Sequence, residues 1–359
     1  MSNPPREKRL LDIAVAENLE QLRSMRESEQ SRLSAKISFS PVHAVVDALN
    51  HLHDALIART IKLAEIEMAR LGHGAPPVPY AYLLFGSGGR SEQTMCSDQD
   101  SGLVYANPAD EEQATRYRHY YLRLAEIIVQ SLVALGYPPC EGNVIASNAE
   151  WCLPISEWES KIDRWFTEPN WENVRYLLIA ADVRPIAGHV ALADQLKDRF
   201  FNDMLGNPII AQRMLENTLR HKVLLGFFGQ LLREPYGDDA GSLDIKYGAY
   251  IPMVNAFRLL ALRSGIRETS TLGRIAALRH SGLLTIGEAE TASQAFSFFL
   301  RLRLIATIAG EDGQMIGTGK ISRARLTKEL MLPLKKALKA GKFYQRKVER
   351  EMKGRFGGR

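Results

Sequence analysis

Hydrophobic positions in the first 72 residues recur at helical spacing. Residues 10–33 are rich in Leu, Glu and Arg with few breakers, and Val42, Val45, Leu49, Leu52 and Leu56 then advance in steps of three and four. This predicts two amphipathic helices. The second opens at Ser40-Pro41, where the serine can cap free amides and the proline fits the first helical position, and it ends near Gly72. His43, His51 and His53 lie along it. His51 and His53 are two residues apart and point to different faces, so these read as surface histidines rather than metal ligands. After the punctuating GHGAPPVP the pattern changes to a short apolar strand at 80–85, the segment GSGGRSEQTMCSDQD, and a second strand-like piece, SGLVYA. A helix over 110–135, a break at 136–139, a short helix over 158–166 and a candidate strand over 177–188 carrying Asp182 complete this region.

Helix and strand thus alternate between residues 80 and 185, which indicates a small α/β domain. Beyond residue 189 the apolar period is helical over 189–204, 208–234, 251–264, 287–309 and 323–352, the pattern of a helical bundle. The predicted fold class is α+β, with a small catalytic α/β domain between an N-terminal helical region and the C-terminal bundle. The expected boundaries are 1–75, 76–190 and 191–359.

Composition narrows the class. The 359 residues are 45% hydrophobic, 24% charged and 8% aromatic, which excludes a disordered tail and a disulfide scaffold. Cys96, Cys140 and Cys152 show no zinc-ligand spacing, so a reducing compartment without a structural metal site is expected. Cys140 and Cys152 read as packed small residues, and Cys96, beside carboxylates, is a poor candidate for a catalytic thiol. The start lacks the pattern of an export leader, and no apolar run reaches the roughly 18 residues of a membrane span. A cytoplasmic location with no membrane partner is the expectation. The basic pI, about 9.0, belongs to the tail: residues 320–359 hold 14 Lys and Arg against 3 Asp and Glu, leaving the rest of the chain net acidic. A nucleic-acid enzyme would carry its positive charge around the cleft, so nucleic acid is not the expected partner.

The chemistry concentrates between residues 86 and 100. Asp98 and Asp100, separated by Gln99 on an extended segment, project to one side, where their carboxylates repel unless a divalent cation sits between them. Upstream, Gly86, Gly88 and Gly89 would let a backbone approach a triphosphate, with Ser87 offering a hydroxyl and Arg90 a charged fork. Competing phosphate motifs fail. A dinucleotide fingerprint would need glycine where Ser91 stands, and a P-loop at Gly319-Lys320 would need glycine at Gln314 and Ser or Thr at Ile321.

The stretch GSGGRSEQTMCSDQDSGLVY resembles the nucleotidyltransferase signature of the superfamily that includes DNA polymerase β and the aminoglycoside nucleotidyltransferases. More closely, the chain is similar to the nucleotidyltransferases related to the N-terminal domain of protein-PII uridylyltransferase. Gly136-Tyr-Pro-Pro-Cys140, Asn143, Ala146-Ser147-Asn148 and Asp182-Val-Arg184-Pro185 continue the likeness. Asp244-Ile-Lys246, Ile251-Pro252, Arg258 and Thr271-Leu-Gly-Arg274 carry it into the helical half, so that it covers roughly residues 40–345. The resemblance implies a polymerase β-like catalytic domain. In it Asp98, Asp100 and Asp182 bind Mg2+, with Mn2+ as the alternative ion, and serve catalysis. Gly86, Ser87, Gly89, Arg90, Glu92, Arg184 and Lys246 contact the nucleotide. Implied too is transfer of UMP or AMP from a nucleoside triphosphate to an acceptor hydroxyl, with a protein as the expected acceptor. Catalytically silent nucleotide binding and RNA nucleotidyl transfer stay open as alternatives, as does a homodimer.

Overall fold

The computed structural model describes residues 6–206, 208–219, 223–226, 230–237, 239–309 and 315–356. In chain order the first elements are α1 (Arg6–Ala14), α2 (Leu19–Ser34), α3 (Val42–Arg70), β1 (Tyr80–Leu84), the single turn α4 (Gly86–Gly89), β2 (Ser101–Tyr105) and α5 (Glu111–Ala134). Next come β3 (Cys152–Pro154), α6 (Ile155–Thr167), α7 (Trp171–Ala180), β4 (Arg184–Gly188), α8 (Val190–Gly206) and α9 (Pro208–Thr218). The last are β5 (Leu243–Asp244), α10 (Ile251–Arg263), α11 (Thr271–His280), α12 (Ile286–Ile305), β6 (Thr307–Ala309), β7 (Met315–Gly317), β8 (Lys320–Ile321) and α13 (Lys328–Phe356). The architecture is the expected α+β arrangement, a small mixed sheet with helical flanks.

The chain divides into two compact units, residues 1–163 with 182–199, and residues 164–181 with 200–359. In the first, four strands run in the order β3-β2-β1-β4. β1 pairs antiparallel with β2, Tyr80 opposite Tyr105 and Leu84 opposite Ser101, and with β4 on its other edge, Leu84 opposite Arg184. β2 and β3 are parallel. Every residue of β1 and β2 is buried, which fits their near-continuous apolar runs. Helix α3 packs on α5 and β4, and α1 and α2 pack on α3. Asn18 and Asp110 cap α2 and α5 through bonds to the amides of Gln21 and Gln113.

The second unit is built around α10, on which every residue from Pro252 to Leu262 is buried. A helix apolar on all sides must be a central one, and α9, α11 and α13 surround it. Arg258 and Asn255 are its polar exceptions, and Arg258 Nη1 donates to Asn255 Oδ1 at 2.6 Å.

Five local expectations need correction, the first being the helix expected over 287–309, which ends at Ile305 with Thr307–Ala309 forming β6. Residues 177–180 are helical, because Asn170 caps α7 through the Asn173 amide and a short apolar run fits a buried helix as well as a strand. The strand begins only at Arg184, so Asp182 sits in the turn before it. The helix expected over 208–234 ends at Thr218; residues 220–222 and 227–229 lie outside the described residues, and Leu225 instead bridges Leu231. At the head of α3, Pro41 itself is the cap residue and no side chain caps the helix.

Candidate functional site

Asp98 and Asp100 lie on an extended segment stitched on both sides by main-chain bonds. Gln99 N–H donates to Pro138 O at 2.9 Å, Ser101 N–H to Val144 O at 3.0 Å, and Phe85 N–H to Asp100 O at 2.9 Å. The alternation expected of such a segment follows. Gln99 turns inward, 5% exposed, and donates through Nε2 to Tyr137 O at 2.8 Å and Val129 O at 3.2 Å. The two aspartates stay half-buried on the other side. Their carboxylate oxygens and Cys140 Sγ all lie within 4.8 Å of one another.

Cys140 is therefore not the packed filler expected from the sequence. The bonds of Gln99 and Ser101 to residues 138 and 144 hold its loop against the aspartate segment, and the loop closes on itself with Asn143 N–H donating to Cys140 O. The thiol hydrogen-bonds to Asp100; burial first, then the nearby carboxylates, pushes its pKa up to about 12.

The glycine turn is shaped by the same carboxylates. Gly86 has φ +51°, and a Cβ there would fall 2.0 Å from Asp100 Oδ2. A Cβ on Gly89 would fall 2.0 Å from Asp182 O. The space expected to admit a triphosphate backbone-first is thus taken, at these two glycines, by the protein's own aspartates. The Ser87 hydroxyl is half-buried and has no side-chain partner among the described residues.

Asp182, fully buried, is not part of the Asp98–Asp100–Cys140 cluster. Its Oδ2 accepts from Arg90 Nη1 at 2.6 Å, while Arg90 Nε donates to Glu92 at 2.8 Å. Arg90 and Glu92 are 4% and 3% exposed. Arg184 is likewise engaged: its two terminal nitrogens meet Asp54 of α3 at 2.9 and 2.8 Å, and its Nη2 reaches Gly88 O at 2.9 Å. Arg90, expected to fork phosphate, thus engages Asp182 and Glu92, and Arg184, expected to contact the nucleotide, engages Asp54 and the glycine turn. Lys246 belongs to the second unit, with its ammonium 5.3 Å from the Tyr247 ring centre.

Sequence reasoning missed the residues behind the site. Asn50 Oδ1 accepts from the Gln93 amide at 2.9 Å and its Nδ2 donates to Gln93 O at 3.3 Å; Gln30 Nε2 donates to Met95 O at 2.5 Å. His43 and His51 are exposed as expected, but His53 is fully buried. Its Nε2 lies 2.9 Å from Thr94 O, an acceptor, so Nε2 carries the proton and Nδ1 accepts from Tyr137 Oη at 2.7 Å. Burial, reinforced by the Arg26 charge, lowers the His53 pKa to about 4. The only hint in the sequence was polar residues at the apolar positions of a helix.

The family model described as "Putative nucleotidyltransferase DUF294" matches residues 29–172, and that described as "Putative nucleotidyltransferase substrate binding domain" matches residues 208–352. Together they span most of the chain. The protein belongs to this nucleotidyltransferase family. No curated protein matches the chain. In this family member the first match contains the aspartate pair and Cys140 and ends before Asp182 and Arg184.

The donor set suits the divalent metal that nucleotidyltransferases generally use. Two carboxylates offer the oxygens a hard cation takes. Gln93, 3% exposed, has an Oε1 without a hydrogen-bond partner among the described residues and, with Asp98 and Asp100, lines a cavity of about 10 Å3, close to the space one water needs. Among the described residues, no helix is long and apolar enough to cross a membrane.

Proposed function

We propose that this nucleotidyltransferase moves a nucleoside monophosphate, UMP or AMP, from a nucleoside triphosphate to an acceptor hydroxyl on a protein. The reading rests on one observation: Asp98 and Asp100 converge on one point beside the Gly86–Gly89 turn in a chain whose two halves both match the family. In the reaction the acceptor oxygen bonds to the α-phosphorus, the bond to the β-phosphate oxygen breaks, and pyrophosphate leaves. Mg2+ or Mn2+, when bound by Asp98 and Asp100, supplies the charge that offsets the triphosphate.

The protein's own groups bind and orient. The Ser87 hydroxyl and the amides that open the Gly86 turn have no helical partners and suit phosphate oxygens. Arg184 and Arg90 hold that turn in place through Gly88 O and Asp182. For Asp182 to act as third carboxylate and take the acceptor's proton, its pair with Arg90 must open. Lys246 keeps its proposed role as a triphosphate contact, which the KM for nucleotide in Lys246→Ala tests.

The protein acceptor draws support from the second unit. Largely on α13, within the substrate-binding match, a cavity of about 880 Å3 is lined by Lys339, Lys342, Arg346 and Arg350, with one acidic residue, Glu349, and the apolar Leu225 and Phe343. That chemistry suits an acidic protein surface. Base choice and acceptor are read out together in one experiment, and a homodimer state by the mass of the purified chain in solution. The purified chain is incubated with each of the four nucleoside triphosphates, labelled at the α-phosphate, with Mg2+ and lysate, against Asp98→Asn and Asp100→Asn, and the products are sized. Label on protein only with both aspartates intact is the expected result. Binding without transfer would favour the silent regulatory reading, and label on RNA would replace the acceptor class.

A further inference from the structure

Cys140 occupies a place that neither its residue type nor the expected aspartate triad accounts for. Its loop is not free to drift: Gln99 bridges Pro139, Gln99 and Ser101 donate to the carbonyls of 138 and 144, and Asn143, at φ +54°, closes the loop with a bond to Cys140 O. The thiol is thereby delivered to the edge of the aspartate pair. Asp182, the carboxylate expected there, is committed to Arg90.

We propose that Cys140 Sγ is the third protein ligand of the metal held by Asp98 and Asp100. The centre then takes borderline and thiophilic divalent ions such as Co2+, Zn2+ and Cd2+ with an extra bond that Mg2+ does not form. Three donors on one ion, at bond lengths of about 2.0–2.3 Å and angles of roughly 90–120°, lie about 3–4 Å apart. The observed spread of up to 4.8 Å closes with side-chain shifts of about an ångström or less. On ligation the S–H proton passes to water and the sulfur–metal bond forms in its place. Mixed sulfur and oxygen donors favour softer ions, whereas Mg2+ prefers oxygen alone and keeps its waters. Gln93 Oε1, without a partner among the described residues, shares a cavity with the aspartates and is an acceptor suited to one such metal-bound water.

The inference rests on the metal reading above, and its test separates the two. The full chain and its Cys96→Ser, Cys140→Ser and Asp98→Asn/Asp100→Asn variants are titrated with Co2+ and Cd2+, following thiolate-to-metal charge-transfer absorption. Mg2+ is titrated calorimetrically. The band should appear in the wild type and in Cys96→Ser and vanish in Cys140→Ser. Cd2+ affinity should fall at least about tenfold in Cys140→Ser while Mg2+ affinity changes less than about twofold. Unchanged Mg2+ binding shows that Cys140→Ser is folded. Ion binding that needs the aspartates but gives no band, or a band that survives in Cys140→Ser, overturns the thiol ligand and leaves the metal reading intact. Binding of neither ion by the wild type overturns both.

Discussion

Arg90 Nη1 stands 2.6 Å from Asp182 Oδ2, with the two side chains 5% and 0% exposed. Such a pair is costly to break from one side. Arg90→Ala would leave Asp182 and Glu92 buried without their cation and should destabilise the fold by about 3–5 kcal/mol, measured by urea unfolding. Asp182→Asn keeps Glu92 on Arg90 and should cost less. Wild-type stability in Arg90→Ala, combined with a raised nucleotide KM, would assign Arg90 to phosphate instead.

Gly86→Ala forces a choice between its new methyl and the Asp100 carboxylate, which would stand 2.0 Å apart. A residue other than glycine at φ +51° adds strain of about 1–3 kcal/mol. Weaker divalent-ion binding and a lower melting temperature are expected together. A crystal structure with Asp100 undisturbed would refute the clash.

Removal of either aspartate should separate chemistry from folding. Asp98→Asn or Asp100→Asn should lower nucleotide transfer by more than about a hundredfold, beyond the usual effect of residues that merely support a ligand. Without metal, stability should hold or rise, because one of two facing like charges is gone. Melting curves in a chelator check this, and a collapse in either variant would make the aspartates structural.

His53 predicts an acid-side loss of stability. Its pKa in the fold, about 4, lies below the usual 6.5, so on acidification the unfolded chain takes up the proton first. The stabilisation is full above pH 6.5 and disappears as pH falls towards 4, amounting to about 3 kcal/mol. His53→Gln should be less stable at neutral pH and show a shallower decline across that window. Parallel urea midpoints for the two proteins from pH 7 to about pH 4.5 would rule it out.

Lys339 and Arg346, seven residues apart, share a face of α13. Reversing both to glutamate should raise the KM for a protein acceptor several-fold and leave the KM for nucleotide as it was, a split that steady-state kinetics resolves.

The strand β1, the glycine turn and the aspartate pair could be read directly because each depends on neighbours within a few residues. Two-residue alternation alone sends Asp98 and Asp100 one way and Gln99 the other. Cys140 could not be read, since it reaches the aspartates through pairing between segments some forty residues apart. The same limit hid Arg184's grip on Asp54, 130 residues away, and the burial of His53, whose two ring partners come from the loop at Thr94 and from Tyr137. Apolar residues 177–180 were misread as strand because both strand and buried helix accept such a run.

Gln30, Asn50 and His53 fasten the main chain of residues 93–95 before any ligand arrives. Fixing a loose backbone costs about 1–2 kcal/mol per residue in entropy, a charge that ordinarily weakens binding. Here the ordering is completed during folding, so the N-terminal helices bear on the affinity of a site to which they contribute no charged group.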